Sequence, residues 1–259
     1  MTGSTQRAVQ LARWHWREYA AEAFGLGLFM VSACGFAVLL FHPGSPLPAA
    51  LPSGLARGAL MGLAMGLTAV LNIYSPWGRR SGSHLNPAVT LTFLRLGRVQ
   101  PLDASGYIAA QFLGAIAGTG LSSLLFHRWI ADPMVNYVVT LPGIGGVPLA
   151  FLAELLISFG LMLAVLNLAS RPRTAAYTGM VAGLLVALYI TFEAPLSGMS
   201  MNPARTVGSA FFAHSWHGWW IYFLAPPPAW LARSGWLMME ILPGKSESNS
   251  RLSSFRSRS

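Results

Sequence analysis

Two apolar stretches of this chain, residues 87–96 and 203–213, stop far too early to cross a lipid bilayer, and both begin at the same tripeptide. The first opens within SGSHLNPA at 81–88 and the second within SGMSMNPA at 197–204, each reading Ser-Gly, three residues, Asn-Pro-Ala. An α-helix rises about 1.5 Å per residue, so each stretch gives about 15 Å of helix against a hydrocarbon layer of about 30 Å. Neither spans alone, and end to end they make one span. Any fold of the chain has to place these two stubs.

The remaining sequence supplies a membrane setting for them. Six other runs, 19–40, 55–74, 107–130, 149–169, 175–194 and 219–239, are each long and apolar enough to span. The sixth contains Pro226-Pro227-Pro228 and Arg233, which predict a kink and a side chain reaching back to one face. Of the 259 residues 54% are hydrophobic and 10% charged, against roughly 25% charged in a soluble domain. The formal charge of +9 therefore reads as membrane orientation and not as affinity for nucleic acid. With the N-terminus inside, only Arg57, Arg128 and Arg205 of the 17 Lys and Arg fall outside, which predicts that both termini are cytoplasmic. Residues 1–17 read as a polar cytoplasmic segment without the apolar core of a signal peptide. Residues 243–259 read as a basic, disordered cytoplasmic tail. The single cysteine, Cys34, excludes an internal disulfide and a cysteine-based zinc site.

The two halves echo each other beyond the tripeptide. Glu22 lies in the first run within AEAFG, and Glu154 in the fourth within AELLISFG. Gly62 and Gly66 precede Asn86 by 24 and 20 residues, and Gly179 and Gly183 precede Asn202 by 23 and 19. The chain thus divides into a first repeat at 18–130, an extracellular connecting loop at 131–148 and a second repeat at 149–242. Three spans per copy is an odd number, so the second copy runs inverted and the two stubs dip in from opposite faces.

The tripeptide suits a helix that starts inside a membrane. Asn is a favoured N-cap, and Pro fits the first helical position, where no N–H is needed. Ala is small enough to let two such ends approach. Non-helical backbone at this depth survives only when buried in protein or lining a wet cavity. After capping, each Asn keeps an amide N–H group for a passing oxygen. Two helix N-termini meeting there repel cations. The assembly reads as a pore for neutral, hydrogen-bonding solutes.

SGSHLNPAVTLTF, SGMSMNPARTVGSAF, the pair Glu22 and Glu154, and YIAAQFLGAIAG at 107–118 together resemble the aquaporin, or major intrinsic protein, family over about residues 18–230. The resemblance implies an all-α membrane protein with six transmembrane helices plus two re-entrant half-helices in an inverted repeat. It implies a homotetramer in the plasma membrane, each subunit with its own pore and no cofactor or metal. Asn86 and Asn202 become the midplane donors, and Arg205 the fixed cation of an outer constriction. Met199, Ile190 and either Met65 or Gly66 complete that constriction. The second-span choice stays open because the loop SPWGRR at 75–80 reads as one residue longer than its counterpart. Pro87, Ala88, Pro203 and Ala204 start the half-helices, and Glu22 and Glu154 accept backbone N–H groups of the re-entrant loops. His84 falls at the cytoplasmic vestibule, lining the pore or bracing its loop.

The expected activity is passive passage of water, with small neutral solutes leaking beside it. A glycerol facilitator of the same family is the alternative. Glycerol-conducting members tend to carry Asp directly after the arginine, where this chain has Thr206; Ala210 and Tyr222-Phe223 also fit the water type. Ile190, where strict water pores often place His, points the other way. Glu193 has no place in this reading. An ion-coupled transporter would need Glu22 or Glu154 as its coupling carboxylate. No nucleophile–base pair or metal-ligand cluster suggests an enzyme. The expected partners are membrane lipid, the permeating solute and further copies of the chain, not nucleic acid.

Overall fold

The computed structural model describes residues 14–226, and its regular elements are all helices. In chain order the principal ones are α1 (Trp16–Phe41), α2 (Gly54–Tyr74), α3 (Pro87–Arg95), α4 (Pro101–Phe126), α5 (Gly146–Ala169), α6 (Thr178–Phe192) and α7 (Pro203–Ala213). The half-helices are α3 and α7. The other five are long and apolar enough to cross a membrane, with a 3-10 turn at Ala175–Tyr177 extending α6. Of the sixth expected run, 219–239, only the first part is described, with one helical turn at Ile221–Leu224. The proline-run kink, Arg233, residues 1–13 and the tail at 243–259 lie outside the described residues.

Several boundaries differ from the hydropathy reading, each for a local reason. The third span starts at Pro101 rather than at 107, because Pro occupies the first turn and Asp103 complements the helix N-terminus there. The fourth starts at Gly146, which shortens the connecting segment, and α3 ends at Arg95 with Leu96 as its cap. The stretch SPWGRR is a helical turn, Pro76–Ser81, and not a loop. The Ser75 hydroxyl accepts the Gly78 N–H at 2.9 Å to open it, and Gly82 at φ +85° closes it.

The spans meet through glycine. A Cβ on Gly114 or Gly118 of α4 would overlap the α1 backbone at Ala23 or Gly27, and one on Gly62 of α2 would overlap the Ala187 carbonyl of α6. One on Gly66 would lie 2.5 Å from the Gly183 carbonyl. Helix backbones therefore touch directly, which is how membrane helices gain packing energy without a hydrophobic drive. The α2–α6 contact joins the two repeats at corresponding glycines. Gly208 seats α7 on α4 in the same way, a Cβ there falling 2.8 Å from the Ala115 backbone. Leu63, Leu67 and Leu71 of α2 are exposed, whereas Glu22, Thr90, Gln111 and Glu154 are fully buried. That inside-polar arrangement brings Glu22 on α1 to the first re-entrant loop and Glu154 on α5 to the second.

Candidate functional site

Each re-entrant loop is held by one buried carboxylate. Glu22 accepts the His84 N–H at 3.0 Å on Oε1 and the Leu85 N–H at 2.6 Å on Oε2, with the Gln111 amide donating at 2.7 Å. Glu154 accepts the Ser200 N–H at 2.6 Å and the Ser197 hydroxyl at 2.9 Å on Oε1, and the Met201 N–H at 2.7 Å on Oε2. Three donors apiece are what make a fully buried acid tolerable. To aim successive N–H groups inward the backbone enters the left-handed region. Gly82, Ser83 and Leu85 have φ of +85°, +49° and +49°, and Gly198, Met199 and Met201 have +80°, +48° and +53°. Glycine takes its position freely; each of the others costs on the order of 1 kcal/mol, offset by the carboxylate bonds.

The half-helices are capped alike. Asn86 Oδ1 accepts the Ala88 N–H at 2.9 Å, and Asn202 Oδ1 accepts those of Ala204 and Arg205 at 3.0 and 3.2 Å. Pro87 and Pro203 occupy the first helical positions, and Ala88 and Ala204 are wholly buried. Each Asn also reaches across. Asn86 Nδ2 donates to the Met201 carbonyl and Asn202 Nδ2 to the Leu85 carbonyl, both at 2.7 Å. The tips of α3 and α7 thus clasp one another. One N–H of each Asn is thus committed to the opposite loop, and one remains.

A cavity of about 1090 Å³ runs beside the clasp. His84, Asn86, Asn202, Met199 and Arg205 line it, together with Ile190 and Met65. Gly66 does not line it but faces α6; one residue turns a helix about 100°, so only one of the two second-span candidates reaches the cavity. Leu161, Met162, Val165 and Val186 extend the apolar wall, and Met199 packs into that wall beside Ile157 and Met162. Among the described residues the Arg205 guanidinium makes no hydrogen bond, and its Nη1 is buried without a partner. His84 both lines the cavity and braces its loop. Its Nδ1 lies 3.1 Å from the Thr90 hydroxyl, and its ring stacks on Phe93 with centroids 4.8 Å apart. The polar edge therefore offers N–H donors and a fixed cation beside a largely apolar wall of Leu, Val, Ile and Met side chains.

The structure adds contacts that the sequence does not announce. The Tyr107 hydroxyl donates to the Ser81 carbonyl at 2.8 Å, and the Tyr222 hydroxyl to the Ser197 carbonyl at 2.5 Å. Ser81 and Ser197 hydroxyls each accept an N–H two residues on, from Ser83 and Met199, at 3.1 Å. Thr206 bonds Ser200 at 2.7 Å and Thr140 of the connecting segment at 2.9 Å, tying that segment to the second loop. The repeat carried the signal: Thr90 and Thr206 each follow their Asn by four residues, and Tyr107 and Tyr222 follow by 21 and 20.

Paired half-helices capped by Asn-Pro-Ala, each held by a carboxylate from the first span of its own repeat, define a re-entrant channel architecture. The sequence pattern described as Major intrinsic protein matches residues 9–227, and the chain belongs to that family, whose aquaporins and glycerol facilitators are channels and not enzymes. It is 39% identical over 153 residues to a probable aquaporin NIP-type of Nicotiana alata, covering 58% of this chain and 54% of that one. It is 34% identical over 214 residues to the glycerol uptake facilitator protein-like 6 of Lactiplantibacillus plantarum, covering 81% of this chain and 91% of that one. The match thus spans only about half of the Nicotiana protein. The X-ray structure of the aquaglyceroporin from Plasmodium falciparum has the same fold, with a TM-score of 0.75 over 89% of this chain and 98% of that one, at 22% identity. The chain is an integral membrane protein.

Proposed function

We propose that the chain is a passive channel for water and small neutral solutes, with the cavity beside the clasp as its conduit. The observation that carries this reading is the pairing of few, fixed donors at the clasp with a largely apolar wall. The free N–H groups of Asn86 and Asn202 and the Arg205 guanidinium hold a passing oxygen. The two helix N-termini and the arginine repel cations. Met199, Ile190 and Met65 narrow the path, and His84 stands at the cytoplasmic mouth. Pro87, Ala88, Pro203 and Ala204 hold the half-helix starts, while Glu22 and Glu154 brace the loops. Those carboxylates have their oxygens occupied by loop donors, which argues against ion coupling through them. The biased placement of Lys and Arg supports cytoplasmic termini, and the family resemblance supports a homotetramer in the plasma membrane.

Permeation of glycerol is the second reading, favoured by a specific feature. Ile190 and Met65 give the cavity hydrocarbon where a polar contact would select for water alone. A linear polyol can lay its hydroxyls on the donors and its carbons on that wall. Purified protein in proteoliposomes decides both. Fast osmotic shrinkage without proton or ion current is expected, and swelling in a glycerol gradient reports the polyol. Ion conduction matching the water flux rejects the channel reading, and water flux without glycerol flux rejects the second.

A further inference from the structure

Glu193 has no role in the proposed channel, yet it stands between Thr191 and Ala194, both of which line the cavity. It is the first residue past the span Ala175–Phe192, is 8% exposed, and among the described residues neither carboxyl oxygen has a hydrogen-bond partner. Ser197, four residues on, commits its single hydroxyl proton to Glu154. The charged and titratable groups acting on Glu193 are Glu154 from α5, Arg205 from α7 and Tyr222 from the turn Ile221–Leu224. Arg205 is the cation among them, and its buried Nη1 is likewise unpartnered. Arg205 heads α7 just after the second re-entrant loop and Glu193 stands just before that loop, so two buried orphans of opposite kind flank one loop. The other repeat shows that the scaffold does not require an acid here. Nine residues before Asn86 stands Trp77, whose indole N–H is satisfied by Asn72 at 3.1 Å; nine before Asn202 stands Glu193.

We propose that Glu193 is a further specificity-determining residue of the pore, acting as a positioning residue for Arg205. This rests on the channel reading. Protonated, Glu193 leaves the guanidinium in the lumen. Ionised, it needs a donor, because an unpaired buried carboxylate costs several kcal/mol, and the unheld guanidinium is the available one. A charge-assisted Arg205–Glu193 pair draws the guanidinium towards the C-terminal end of α6. The aperture widens and the cation barrier falls. Burial pushes the Glu193 carboxyl up to about 7, so the change falls near neutral pH.

The test is the pH profile of glycerol and water flux for the full chain in proteoliposomes, taken from about one unit below to about one unit above that midpoint. Wild type is expected to gain several-fold in glycerol permeability as pH rises, with water changing less. Glu193→Gln is expected to hold the low-pH value throughout, and Arg205→Val to lose the pH response because the moving group is gone. A flat wild-type profile overturns the inference while leaving the channel reading intact, and needs no variant to fold. A pH response that survives in Glu193→Gln or in Arg205→Val also overturns it. Absence of both fluxes at every pH sinks the channel reading itself.

Discussion

The first re-entrant loop and the second share their backbone almost angle for angle, and differ in the side chains that line or surround them. Both take the same left-handed sequence of φ, both end in an Asn cap, and both hang from a carboxylate and a tyrosine hydroxyl. Three residues beyond the first Asn, however, stands Val89, and three beyond the second stands Arg205. Two before the first Asn is His84, and two before the second is Ser200. Glu22 has Gln111 as a side-chain donor from α4; Glu154 takes its third donor, Ser197, from the segment it is holding. The shared parts make the frame, and under the proposed channel function the unshared parts are the ones that select.

The largest effect expected from breaking this asymmetry is Arg205→Val, which makes the second half-helix resemble the first. Glycerol flux is expected to rise by about tenfold and cations to leak, because one fixed charge and its bulk leave together. Unchanged solute selectivity in swelling assays rejects the assignment. Next come Glu22→Gln and Glu154→Gln. Replacing a buried acceptor-only group by an amide turns one oxygen into a donor facing a donor, at a cost of about 3 kcal/mol. Glu22→Gln is expected to cost less, since Gln111 has a buried, unpartnered Oε1 that a flip of its amide presents to the new N–H. Melting temperatures in detergent compare the two, and equal losses refute the role given to Gln111. The smallest effect is Tyr107→Phe against Tyr222→Phe. Each removes one hydroxyl from a serine carbonyl, about 1 kcal/mol, with matched shifts in melting temperature expected from matched geometry. A much larger loss at either tyrosine shows that the repeats do not share this tie.

Much of the frame was legible because it is periodic. The tripeptides, their offset from Glu22 and Glu154, and the glycine pairs each recur, and recurrence identifies a residue that solitary chemistry does not. What was lost follows from how side chains signal. The start of α4 at Pro101 was hidden because 101–106 is polar; the helix begins before the apolar layer does. The one-residue slip between the glycine offsets points to an inserted residue in SPWGRR, but only Ser75 before Pro76 hints that the stretch is a helical turn. Met65 and Gly66 are adjacent in sequence but face different partners, a distinction that needs the helix phase. Nothing in the sequence around Tyr107 or Tyr222 shows that a serine carbonyl lies under each hydroxyl. The crossed amide bonds leave no mark at all, since they join residues 115 and 117 positions apart.

Those crossed bonds also constrain the order of assembly. Each asparagine finds its acceptor only on the other copy of the repeat, so neither tip can reach its final state by itself. An N-terminal half emerging first carries Asn86 with half of its amide idle and the Leu85 carbonyl unmet. The molecular centre is consequently the last place to set, and damage to one half is felt at the tip of the other.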